Sequence, residues 1–305
     1  AAWAGSRRVL TVTPLEAIGG SVEAPYARAA RRTGRNVAAL VLLVLGALLL
    51  GGGIAYGLVS PAGVIIAFFG GVLSFTGLAL GATLVMPPVL RLVGSVFGRS
   101  AMSRLAAQNA LRYPERSSRM AIGVVMGVTL ITMFAVAIAS TKAVMTASGG
   151  GVLDDDMSRV LDTFSAVMMG LVAVSAVIAG VGLVNLLTLG VVQRRRELGL
   201  LRTLGVSNTQ LRAMVLREAA HITIAATAMG LLLGIAYGWA GAQSLLGSVP
   251  VDPMRPPEPT FVLPAIPPIP VLVIVAATTV LTLVAAVVPT RLATRVAPIE
   301  ALADA

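Results

Sequence analysis

Six apolar runs dominate the chain, at roughly Val37–Val59, Gly63–Val85, Met120–Ser140, Val160–Val192, Ile222–Leu246 and Val271–Val288. Each is long enough to cross a bilayer, whose core takes about 20 apolar residues per helix. Lipid offers the backbone no water to pair with, so such runs fold as helices that satisfy their own N–H and C=O groups. The expected fold class is an all-α integral membrane protein with about six transmembrane helices. Only 12% of residues are charged and the mean hydropathy is +0.91. A typical soluble domain carries about 25% charged residues.

The net charge is +10, and its placement decides what it means. Arg7, Arg8, Arg28, Arg31, Arg32 and Arg35 precede the first run. Arg91, Arg99, Arg104, Arg112, Arg116 and Arg119 lie between the second and third. Arg194, Arg195, Arg196, Arg202, Arg212 and Arg217 lie between the fourth and fifth, and Arg291 and Arg295 follow the sixth. Lys142, Arg159 and Arg255 alone fall on the other side. By the positive-inside rule the Arg-rich side is cytoplasmic, together with both ends of the chain. The expected location is the plasma (inner) membrane of a bacterium; an Arg-over-Lys bias with abundant Ala, Gly and Val points to a GC-rich genome. No nucleic-acid-binding motif accompanies the charge, so nucleic acid is not an expected partner, whereas membrane lipids are.

The non-cytoplasmic connections differ in kind. Ser60–Pro61 reads as a tight turn, and Thr141–Arg159 as a loop of 19 residues containing Gly149–Gly151 and Asp154, Asp155 and Asp156. Pro250–Pro270 holds nine Pro, which favours a stiff, irregular path over a helix. The fourth run, as one helix, is about 50 Å long and exceeds the roughly 30 Å core, so it is expected to tilt or project.

An internal repeat is visible. RRVLTVTPLEAI (Arg7 to Ile18) aligns with RLATRVAPIEAL (Arg291 to Leu302) when Pro14 is set against Pro298. Each copy should end the cytoplasmic tip of a spanning helix, which predicts that residues 1–20 are the tail of an earlier, related domain. The string GIAYG, at Gly53–Gly57 and Gly234–Gly238, reads as a low-complexity coincidence.

The most informative stretch is Gln193 to Ala220. A short helix fits Arg194 to Leu204, with Gly205 as the C′ residue that ends it. Ser207 and Gln210 form a capping box that opens the next helix, which can continue through Leu211, Met214 and Val215 into the fifth span. Helical spacing places Glu197, Leu200, Leu201 and Leu204 on one face, with Arg194, Arg195 and Arg202 largely outside it. Two readings stay open. The helix can lie at the membrane surface with its Arg residues on lipid phosphates. Alternatively it docks in a protein groove, which would give Glu197 the cation or backbone donors that an acid on an apolar face requires.

Within the membrane, Asn185 is expected to form an interhelical hydrogen bond, and Gly230, Gly234 and Gly238 a GxxxGxxxG stripe for close helix packing. Asp162 reads as solvated at the interface. His221 reads as an interfacial residue at the cytoplasmic entrance of the fifth span, with no metal role, because a zinc site of the two-His type lacks its second His. There is no Cys and therefore no thiolate chemistry. The sole Lys, Lys142, follows Thr141, so the Gly-Lys-Ser/Thr end of a phosphate-binding P-loop is missing.

Arg194, Arg195, Arg196, Glu197, Leu198 and Gly199, followed by Leu200, Leu201, Arg202, Thr203, Leu204 and Gly205, resemble the cytoplasmic loop of FtsX-like permease domains, the family of MacB-type and lipoprotein-releasing transporters. The closing Arg295, Pro298, Glu300, Ala301 and Leu302 fit the same pattern, as does the entry segment Asn109 to Pro114. The resemblance covers about Ser103 to Ala305. It implies a four-helix permease domain over 101–305, in which Arg194–Gly205 is the cytoplasmic coupling helix that docks on an ABC-type ATPase. It also implies a linker with two transmembrane helices over 21–100, in a two-domain, ten-span permease. On this resemblance the chain is not an enzyme and holds no cofactor, and the partner ATPase binds ATP and Mg. A second permease domain and an external substrate-binding or lipoprotein partner are further implied partners. The family commonly carries a folded external domain where this chain has only Thr141–Arg159.

The implied function is mechanotransmission: ATPase closure moves the coupling helix, and the spans carry that motion outward to a lipid, lipoprotein, peptide or drug. The alternative is a regulatory permease that controls a cell-wall hydrolase or sensor without transport. A secondary transporter usually needs ionisable residues at the midplane, and almost none are present.

Overall fold

The computed structural model describes residues 33–97, 114–148, 155–170, 173–174, 203, 205–250 and 259–293. Every regular element among them is helical. They are α1 (Thr33–Gly57), α2 (Gly63–Leu80), α3 (Ala82–Phe97), α4 (Pro114–Ser148), the helical stretch 155–170 (α5), α6 (Asn208–Leu246) and α7 (Pro268–Ala293). Four of these helices contain stretches long and apolar enough to span a membrane: Gly34–Gly57, Gly63–Leu80, Met120–Ala147 and Thr209–Leu246. Ala82–Ser95 and Pro268–Val280 are shorter apolar helical stretches. The chain is an all-α, multi-pass membrane protein.

Small residues set the packing of α1 against α2. Side chains at Gly46, Gly53, Ala67, Gly70, Ser74 and Gly77 are absent or short where the helices meet, and a Cβ at Gly53 would lie 2.5 Å from the Ala67 backbone nitrogen. Gly46 opposes Ser74, Gly53 opposes Ala67 and Gly77 opposes Leu43, so the pair is an antiparallel hairpin around the turn after Gly57. With no hydrophobic drive between helices in lipid, such close backbone approach is what holds them together. The opposite face of α1, with Val37, Leu40, Val44 and Leu48, is exposed, as lipid-facing residues are.

The second tight interface joins α4 and α6. A Cβ at Gly230 would lie 2.7 Å from that of Val128, one at Gly234 2.5 Å from that of Thr132, and one at Gly238 2.9 Å from that of Val136. The contacts advance together along both helices, so α4 and α6 run parallel. The chain between them therefore begins at one end of the bundle and finishes at the other. Gly57 meets Ser244, which brings the C-terminal ends of α1 and α6 together. In both copies of the GIAYG string the two glycines are thus points of close helix approach, Gly53 and Gly57 on α1, Gly234 and Gly238 on α6. A shared packing requirement accounts for the recurrence that the sequence alone left as coincidence.

A buried core lies where α3, α4 and α6 meet. It contains Met86, Leu90 and Val93 of α3, Met120, Ala121, Val124, Val125 and Val128 of α4, and Ile222, Ala225 and Ala226 of α6, with Leu78 and Ile274 at its margins. On α3 the buried positions fall at helical spacing, while Arg91, Leu92 and Ser95 face outward.

Three expectations about element boundaries change. The run Gly63–Val85 is not one helix: α2 ends at Leu80, with Gly81 as C-cap donating to the Gly77 carbonyl, and α3 starts at Ala82. Helix α3 then continues through Pro87 and Pro88, although each Pro removes an N–H from the ladder. The supposed loop Thr141–Arg159 is largely helical, since α4 extends to Ser148 and residues 155–159 are already in α5. The irregular Pro-rich path ends at Pro267, and Pro268 and Pro270 occupy the first turn of α7, where a Pro has no ladder bond to break.

The charges sort by end. Arg35, Arg91, Arg212 and Arg217 lie towards the end of the bundle where α1, α4 and α6 begin, and Lys142 and Arg159 lie towards the other.

Candidate functional site

Most of the segment expected to couple to an ATPase, Arg194 to Arg202 and Leu204, lies outside the described residues, as does Asn185. Its exit is described. Thr203 is helical and exposed, and Gly205 has φ +91°, a left-handed conformation that a side chain makes costly and that commonly follows a helix end. Ser207 is extended (φ −70°, ψ 155°) and caps α6 reciprocally. The Gln210 backbone N–H donates to Ser207 Oγ at 3.2 Å, and the Ser207 N–H donates to Gln210 Oε1 at 2.9 Å. Two of the orphan donors of the helix start are thereby satisfied.

From that cap α6 runs without a break for 39 residues, about 58 Å at 1.5 Å per residue. Leu211 and Met214 in its first turns are buried. Helix α6 is one continuous rod, which the glycine stripe holds against α4 along its middle.

His221 lies about a third of the way along α6. It is buried, and its Nε2 lies 2.8 Å from the Leu90 carbonyl oxygen, tying α6 to α3. Among the described residues no group of three or more His, Asp or Glu could hold a metal ion. Asp162 is not simply solvated: it pairs with Lys142, joining α5 to α4 at the end away from Arg35, Arg91, Arg212 and Arg217.

That same end carries a clamp that sequence reasoning missed. The side chain of Gln243 pairs with the extended segment 259–267: its Nε2 donates to the Thr260 carbonyl at 2.8 Å, and its Oε1 accepts from the Val262 N–H at 2.6 Å. Trp239 Nε1 donates to the Val262 carbonyl at 2.8 Å, and the Ala265 N–H donates to Ser140 Oγ at 3.0 Å. An isolated Gln in an apolar helix is the only trace of this clamp in the sequence. A second missed contact joins α2 to α6, Ser74 Oγ to Tyr237 Oη at 2.9 Å. Ser74 Oγ also lies 3.0 Å from the Gly71 carbonyl oxygen, to which it can donate.

Comparison with known proteins now bears on this arrangement. Residues 169–298 match the family model of the FtsX-like permease C-terminal domain. Over 154 residues, 50% of this chain, it is 31% identical to a probable export ATP-binding/permease protein of Pseudomonas fluorescens, covering 22% of that protein. It is 29% identical to an uncharacterized ABC transporter permease of Methanocaldococcus jannaschii over 26% of this chain and 20% of the relative. It is 26% identical to the macrolide export ATP-binding/permease protein MacB of Bdellovibrio bacteriovorus over 28% of this chain and 14% of the relative. The chain thus spans about a fifth of the length of the curated relatives it matches. No solved structure matches. Residues 194–205, the glycine stripe of α6 and helix α7 all fall inside the residues that match the FtsX-like permease C-terminal model.

Proposed function

We propose that this chain is the membrane-spanning permease part of an ABC-type transporter and transmits conformational change from a cytoplasmic ATPase across the membrane. The observation that carries the reading is the position of the coupling motif. It lies within the matched permease domain and leads through Gly205 and the Ser207 cap into the unbroken helix α6. In this reading Glu197 and Arg202 contact the ATPase, Leu198, Leu200, Leu201 and Leu204 fill its groove, and Gly199 permits close approach. ATP and Mg are bound by that partner. Relatives named as ATP-binding/permease proteins support such a partnership.

The Arg-rich end of the bundle is cytoplasmic in this account, within a bacterial inner membrane. Residues 1–20 close a preceding permease domain, α1 and α2 belong to the linker, and 101–305 form the second domain. The cargo is a lipid, lipoprotein, peptide or drug drawn from the outer leaflet or the outer side of the membrane. Co-purification of the full-length protein with the cassette ATPases of its own genome tests the proposal. The wild type should retain one of them and stimulate its ATP hydrolysis, while Glu197→Ala and Arg202→Ala should weaken or uncouple it. Failure of the wild type to retain any ATPase would return Arg194–Gly205 to the role of a membrane-surface helix.

A further inference from the structure

A cleft of about 380 Å³ lies between the α1–α2 hairpin and the α4–α6 pair. Its aromatic wall consists of Phe68, Phe75, Phe134 and Tyr237. The Tyr237 hydroxyl is the one polar side-chain group on that wall, and it is already hydrogen-bonded to Ser74. Gly71 and Gly241 also line the cleft, and a Cβ at either would meet nothing within 4 Å. The opening therefore exists because these two positions lack side chains. This contrasts with Gly53 and Gly234, where backbone or side-chain atoms of the neighbouring helix fill the equivalent space.

Depth and size select the occupant. Tyr237 and Gly241 precede the end of α6 by about 14 and 8 Å at 1.5 Å per residue. The cleft therefore opens within the apolar zone, in the half of the membrane nearer the α1–α2 turn. A helix about 10 Å across, rising 1.5 Å per residue, occupies on the order of 120 Å³ per residue, so the space would hold roughly three residues of one. Water is excluded by the lack of free polar partners, because a buried water needs two to four. A methylene group is close in size to a water's share of liquid volume, about 30 Å³, so the space corresponds to about a dozen methylenes in a row.

We infer that this cleft is a lipid site, occupied by one acyl chain of a bilayer phospholipid and closed laterally by the hairpin. The site stands on the membrane embedding of the chain and not on coupling to an ATPase, so the two readings fail independently. It places a lipid between the linker hairpin and the permease domain, where the Tyr237–Ser74 bond joins them. A relative movement of the two units would then have to expel or reposition the chain.

The test is photo-crosslinking of the full-length protein in liposomes of phosphatidylethanolamine and phosphatidylglycerol. The probe is a phosphatidylcholine carrying a diazirine in mid-chain, and adducts are mapped by peptide mass spectrometry. The expected result is labelling at Phe68, Phe134 and Tyr237 that exceeds labelling on the lipid-facing Val44–Leu48 face of α1 at least threefold. Gly71→Leu and Gly241→Leu should lower the cleft adducts about tenfold and leave the α1 adducts unchanged. Gly241→Ala controls for folding, since it fills little of the space. Cleft labelling no higher than α1 labelling in the wild type would overturn the inference. So would labelling that persists in both leucine variants, or cleft peptides crosslinked to another protein segment.

Discussion

Two glycines on α6, seven residues apart, should respond oppositely to the same substitution. In Gly234→Ala the new Cβ would lie 2.5 Å from Thr132 Cβ and 2.8 Å from the Thr129 carbonyl oxygen. Carbon atoms pack comfortably at about 3.5–4.0 Å, so α4 and α6 must part by roughly 1 Å. The carbonyl belongs to the α4 backbone, so no rotamer change relieves the contact. Forcing a methyl group into a packed interface costs about 1–3 kcal/mol. In Gly241→Ala the Cβ meets nothing within 4 Å, and only the helix-propensity gain of up to about 1 kcal/mol operates. That gain is common to both variants and cancels in the comparison. The difference between them is therefore the packing cost, about 1–3 kcal/mol, or roughly five- to hundredfold in the folding equilibrium. Reversible unfolding in mixed detergent–SDS micelles, followed by Trp239 fluorescence, reads the difference directly. Equal stability of the two variants would refute the close α4–α6 approach as the basis of this interface.

Gln243→Leu leaves the Val262 N–H without its partner in a buried setting, which costs about 1–3 kcal/mol; hydrogen exchange at Val262 should accelerate accordingly, and unchanged exchange would remove the clamp. Ser207→Ala should destabilise the start of α6 by about 1 kcal/mol, visible as faster exchange in residues 208–211 with the rest of α6 unaffected. The Lys142–Asp162 pair is largely exposed at the carboxylate, so solvent screening limits it to about 0.2–1 kcal/mol. Lys142→Ala should accordingly shift the unfolding midpoint little, and the double swap Lys142→Asp with Asp162→Lys should restore it; a loss well above about 1 kcal/mol would contradict the exposed geometry.

The sequence was most legible where one local rule acts alone. Apolar length marks α1, α6 and the membrane-spanning part of α4, and the Ser207–Gln210 spacing announces the cap that the structure contains. It was less legible where two rules compete. The break at Gly81 lies inside an uninterrupted apolar run, and Pro87–Pro88, the obvious breakers, sit within a helix instead. The stretch beyond Thr141 is rich in small and polar residues and reads as loop, yet its described residues, 141–148 and 155–159, are helical. Tertiary pairing left almost no trace. Ser74 and Tyr237 are 163 positions apart, and the Gln243 clamp depends on an extended segment that periodicity cannot detect. The residues expected to couple to an ATPase, Arg194 to Leu204, rest on resemblance alone.

The central claim is that the segment ending at Gly205 touches an ATPase, and the absence of Cys from the chain makes this directly testable. Single-site variants Glu197→Cys, Leu201→Cys and Thr203→Cys, each labelled with a benzophenone maleimide in membranes containing the candidate cassette ATPase, would be irradiated alongside Leu48→Cys on the lipid-facing side of α1. The account predicts covalent adducts with the ATPase from the segment variants, altered in yield when ATP is added, and none from Leu48→Cys. Adducts from the segment variants with lipid alone would contradict it.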